Sequence, residues 1–166
     1  MKFKCDHRFR NITLAQYEAL YFDEAFNEAL CKSVNLQRTV LKIDRSAERI
    51  HREVKVSPDR EVPAPVAKII GSSKLEYTEL VDYAFGSMRG TWHTISSVLT
   101  DKVDTRGTMA FAADGSGVRR VVEGDINVKI FAVGGIIEKF IIADVEKSYE
   151  NAAAFTQQWI DSGKLA

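Results

Sequence analysis

One amphipathic stretch near the C-terminal end restricts the fold of this chain more than any other feature. From Val133-Gly134-Gly135 onward, Ile136, Ile137, Phe140, Ile141, Val145, Ser148, Ala152, Phe155 and Trp159 recur every three or four residues, while Lys139, Glu146, Glu150, Gln157 and Asp161 fall on the opposite side. That spacing is the signature of an amphipathic helix. No breaker interrupts Lys147 to Trp159, and Ser162-Gly163 closes the pattern, which predicts a helix over Gly135 to Asp161, roughly 40 Å long at about 1.5 Å per residue. Such a rod is too long to be one layer of a small bundle. It needs a wide sheet to lie on.

The rest of the chain supplies that sheet. Lys2 to Arg10 alternates, with Phe3, Cys5, His7 and Phe9 on one face, as a half-buried strand does. Asn11-Ile12-Thr13 and Asp23 are candidate caps for two short helices carrying Leu14, Tyr17, Leu20 and Tyr21, then Ala25, Phe26, Ala29 and Leu30. Leu36 to Ile43 and Ile50 to Val56 read as a hairpin turned at Asp44-Arg45-Ser46. Pro58 to Gly71 holds all three prolines and a short apolar helix pattern. Ser72 to Phe85, Met88 to Asp101, Thr105 to Ala113 and Val118 to Phe131 are four further strand patterns, separated by Gly86-Ser87, Asp101 to Asp104, and Asp114-Gly115-Ser116-Gly117.

The order is strand, two short helices, six strands, long helix. Short turns make successive strands antiparallel neighbours, so the expected α+β fold is a curved seven-stranded antiparallel sheet gripping a long C-terminal helix, as one domain over residues 1–166. Equal numbers of basic and acidic residues, 23 each, give no electrostatic footprint for nucleic acid. Cys5 and Cys31 lack metal-ligand or redox spacing. The opening MKFKCDHRFR has no apolar run and no stretch approaches a membrane span, so the expectation is a cytoplasmic protein.

This helix-grip order resembles the START-like (SRPBCC) superfamily, which includes steroidogenic lipid-transfer domains, the birch-pollen allergen and polyketide cyclases. The run Val128-Lys129-Ile130-Phe131-Ala132-Val133-Gly134-Gly135-Ile136-Ile137-Glu138-Lys139-Phe140-Ile141, a last strand passing through a glycine pair into the helix, looks like a bacterial START-like family of unknown function. More distantly it looks like the PRELI-type phospholipid carriers. That likeness implies phospholipid handling and a lid at Pro63 to Gly71, whose Val66, Ile69 and Ile70 would close over a ligand or touch a membrane transiently, with Lys68 near anionic headgroups. A short helix covering a sheet edge would bury the same residues.

Chemistry-bearing patterns are sparse. His7, His51 and His93 stand on separate strands, and neither a P-loop nor a dinucleotide fingerprint is present, so neither metal nor cofactor is expected. Arg52 shares strand parity with Ile50, Val54 and Val56, and Arg120 with Val118, Val122, Ile126 and Val128. A buried guanidinium there requires a partner such as Glu79, a bound anion, or an escape to water. Tyr77 and Trp92 suit either a core or a cavity wall. The helix stripe is bulky at Ile137, Phe140 and Ile141, small at Ser148 and Ala152, and bulky again at Phe155 and Trp159. Either a hollow lies beneath the small centre or side chains from the sheet fill it.

The first functional expectation is a carrier or binder of a hydrophobic small molecule of lipid type, held among Trp92, Ile126, Ile137, Phe140, Ile141 and Trp159. A polyketide cyclase-like enzyme would use the same cavity with His93, Glu79 and Tyr77 moving protons. A pocketless interaction domain is the third reading.

Overall fold

The computed structural model describes residues 1–165. Eleven elements follow one another: β1 (Lys2–Phe9), α1 (Leu14–Tyr21), α2 (Glu24–Ser33), β2 (Leu36–Arg45), β3 (Arg49–Pro58), α3 (Ala64–Ile70), β4 (Tyr77–Ala84), β5 (Arg89–Ser96), β6 (Val103–Asp114), β7 (Gly117–Val128) and α4 (Gly134–Asp161). The seven strands form one antiparallel sheet in the order β1-β7-β6-β5-β4-β3-β2. Only β1 lies out of sequence order. The α1–α2 excursion carries the chain from that edge to the opposite one, and both helices begin where the sequence places their caps. Thr13 and Gln16 form a reciprocal capping box, and the Asp23 carboxylate accepts from the Phe26 amide at 2.7 Å.

Burial follows strand parity. Arg52, Val81, Trp92, Gly107, Gly124 and Phe3 are successive cross-strand partners from β3 to β1, all on the face that meets α4. The two glycines in this row make room for the Trp92 indole. A Cβ on Gly124 would sit 2.5 Å from Trp92 Cζ2, and one on Gly107 would sit 2.6 Å from the same atom and collide with the Glu123 carbonyl. Trp92 therefore lies flat across β6 and β7 and touches Phe3, ring centroids 5.9 Å apart.

Beyond this row Phe9, Tyr17, Phe22, Tyr83 and Phe111 form a buried aromatic cluster under α1. Burying such rings contributes about 25 cal/mol per Å² of apolar surface removed from water. It anchors the α1 end of the inner face.

Helix α4 packs against β1, β7 and α2. Gly134 sets this contact, because a Cβ there would strike the Val128 carbonyl, and the Glu138 carboxylate accepts the Val128 amide at 2.9 Å. Close approach to β7, rather than backbone flexibility, is what position 134 requires; Gly135 faces open space. Strand β4 begins later than its pattern predicts, at Tyr77 rather than Ser72, and β5 ends earlier, at Ser96 rather than Asp101. Leu99 takes a left-handed φ of 53°, and Lys102 donates back to its carbonyl at 2.8 Å, so an apolar stretch that reads as strand is a closed turn.

A candidate ligand cavity between the sheet and α4

Where α4 leaves β7 and passes over the middle of the sheet, side chains do not fill the gap. A cavity of about 340 Å³ lies there. Its floor carries Trp92, Thr94, Ser96, Thr105 and Ile126, its roof Phe140, Ile141, Val145 and Ser148, and its side Tyr77, Glu79 and Leu75. Thr94 and Thr105, cross-strand partners on β5 and β6, hydrogen-bond to one another and so present little unsatisfied polarity to the floor.

A second chamber of about 170 Å³ lies toward α1 and α2. Leu36, Tyr77, Glu79, Ser148 and Tyr149 line both, so the two adjoin. Their walls differ in chemistry. The second is lined by Arg38, Arg52 and Arg120, whose side chains are about 5% exposed or less. Arg120 stacks its guanidinium 5.2 Å from the ring centres of Phe9 and Tyr149 and is 3.3–3.4 Å from His7 Nδ1 and the Tyr17 hydroxyl.

Glu24 approaches Arg38 at 2.6 Å and Arg52 at 3.8 Å, and Glu79 approaches Arg52 at 3.8 Å. Even so, Nη2 of Arg38, Nε and Nη1 of Arg52, and Nε of Arg120 make no hydrogen bond among the described residues. Each such donor left dry costs on the order of 1–3 kcal/mol. Burial pushes the Tyr77 and Tyr149 hydroxyls well above the ordinary phenol range and the Cys31 thiol above its own. These groups are neutral at physiological pH.

The mouth of the larger chamber faces the loop between β3 and α3. Arg60 from that loop grips Asp144 of α4 with Nε at 2.9 Å and Nη2 at 2.6 Å, and reaches Ser148 Oγ at 3.3 Å. Pro58, Glu61, Val62 and Pro63 complete the rim.

Of the residues singled out from sequence, Tyr77, Glu79, Trp92, Ile126, Phe140, Ile141 and Ser148 line the larger chamber, and Arg52, Arg120 and Ala152 the smaller one. Ile137 and Trp159 line neither. Ile137 is fully buried core, and Trp159 packs against Phe26 and Phe155 toward the far end of α4. The α3 residues are also elsewhere: Val66 and Ile70 are buried, Lys68 is exposed and Ile69 is half-buried, while the loop ahead of them meets the cavity.

His93 projects from the opposite face of β5, exposed, and does not join Glu79 and Tyr77. Sequence reasoning passed over Tyr149, which follows Val145 by one helical turn, and Arg38, which shares the parity of Leu36. Both spacings were present to be read. Among the described residues no group of three His, Cys, Asp or Glu side chains converges as a metal site, and no helix is long and apolar enough to cross a membrane.

The architecture is the helix-grip fold, shared with proteins of distant sequence. TTHA0849 from Thermus thermophilus superposes with a TM-score of 0.68 at 15% identity, covering 98% of this chain and 99% of that one. The Zhui aromatase/cyclase from a Streptomyces species gives 0.64 at 9% identity over 96% and 95% of the two chains. Norcoclaurine synthase from Thalictrum flavum gives 0.58 at 11% over 94% and 87%. No curated protein matches the sequence. Residues 6–160 match the model of the family described as "Protein of unknown function (DUF2505)", and this chain belongs to that family.

Proposed function

We propose that the protein binds a hydrophobic small molecule of lipid type in the cavity between α4 and the sheet. The observation that carries this reading is the 340 Å³ hollow walled mainly by apolar side chains from both layers, in a fold whose interior would otherwise pack densely. That volume stands near the lower end of the range for small-molecule sites, which suits a single chain or fused ring better than a two-chain phospholipid. Trp92, Ile126, Phe140 and Ile141 hold the apolar body. The carriage of lipid between membranes implied by the PRELI-type likeness is a narrower form of this reading, with the rim loop from Pro58 to Pro63 rather than α3 itself as the moving part.

A cyclase-like enzyme has less support, since the base it would draw on, His93, stands on the outer face of β5. Titration of a fluorescent fatty acid into the protein and into Ser148→Trp tests the proposal. Saturable binding is expected in the first and at least about tenfold weaker binding in the second, with the circular dichroism spectrum unchanged. Equal affinity in both would place the ligand outside this cavity.

A further inference from the structure

The smaller chamber collects three buried guanidinium groups from three strands, Arg38 of β2, Arg52 of β3 and Arg120 of β7. The carboxylates within ion-pair distance of them are Glu24 and Glu79, both partly exposed. Three cations therefore face two anions, and four guanidinium nitrogens, none of them the Arg38 Nη1 held by Glu24, make no hydrogen bond among the described residues. Buried arginines in a finished core are paired donor by donor. These instead leave an excess positive charge and unused planar donors beside a space of about 170 Å³ that joins the apolar chamber at Tyr77, Glu79, Ser148 and Tyr149.

We propose that this chamber is an anion subsite, and that the ligand is a single-chain or ring amphiphile whose one acidic head, a carboxylate or phosphate monoester, enters among Arg38, Arg52 and Arg120 while its apolar body fills the larger chamber. The proposal rests on the ligand-binding reading above and narrows it. A guanidinium fork matches the two oxygens of either head, and water-poor surroundings strengthen each bond. Glu79, at the junction of the chambers, places a carboxylate beside the incoming head and so limits the site to one acidic group.

The test compares palmitate, hexadecyl phosphate and hexadecanol, three compounds with the same chain. Binding to the unmodified protein is measured by displacement of a fluorescent neutral probe, a pyrene-labelled alkane. Both acids are expected to bind at least about tenfold more tightly than the alcohol, and the better of the two identifies the head. Arg52→Met and Arg38→Met should each bring the acid-to-alcohol ratio toward one, and Glu79→Gln should raise it.

Equal binding of all three compounds to the unmodified protein would overturn the anion subsite and leave the hydrophobic cavity standing. Failure of every compound, and of the probe itself, would overturn the cavity reading and the subsite with it. Because the first comparison uses the unmodified protein, poor folding of an arginine variant does not remove the test.

Discussion

His51 illustrates how far a single side chain can be read and where it stops. It stands on the outer face of β3 with Nε2 2.9 Å from Glu53 and Nδ1 2.8 Å from Asp82. The hydrogen bond to Glu53, then that to Asp82, raises its pKa above the ordinary 6.5, with partial burial opposing. A raised folded-state pKa means that the imidazolium stabilises the fold fully below the unfolded value near 6.5, and that this contribution disappears as pH climbs through the folded value. Chemical denaturation of the protein and of His51→Gln should therefore show a stability gap at acidic pH that closes on going alkaline. A gap that widened with pH would contradict the assignment. Strand parity places His51 on the outer face beside Glu53, but its other acidic partner, Asp82 on the neighbouring strand, depends on register. Arg52 and Arg120 stand among inward residues by parity, as Arg38 does beside Leu36, but that the three meet at one chamber depends on the fold.

Among the elements, α4 was the most legible, because a 3.6-residue period sustained over seven turns admits no competing reading. Its bulk profile was less so. A small centre at Ser148 and Ala152 left open a hollow or a space filled from the sheet, and Tyr149, which stands between them, lines both of two adjoining chambers. The C-terminal limit of β5 failed for a different reason: Val98 and Leu99 satisfy a strand pattern while forming a turn.

The clamp between the β3–α3 loop and α4 left no local trace, since Arg60 and Asp144 are 84 residues apart. Both of its side chains are more than 30% exposed, and ion pairs of this kind contribute roughly 0.2–1 kcal/mol. Replacing Arg60 by Ala should accordingly speed ligand dissociation, about two- to fivefold in stopped-flow displacement, with little change in melting temperature. An unaltered dissociation rate would mean that the ligand leaves by another route.

For the molecule as a whole, the layer order followed from two hydrophobic periodicities and from short turns, and the sheet obeys it strand by strand. What periodicity does not encode is the distance between layers. That distance arises where Gly134 brings α4 down onto β7 while Trp92, lying flat over Gly107 and Gly124, floors the space beyond. On the proposed reading, the larger chamber, its polar annex and its clamped mouth belong together as one binding device. Native mass spectrometry of the protein, purified without detergent from a bacterial host, tests this most directly. A bound species of one acidic, largely hydrocarbon molecule per chain is expected, released on denaturation and absent from Ser148→Trp. A mass equal to the bare polypeptide, with no uptake of palmitate or hexadecanol when either is added, would contradict it.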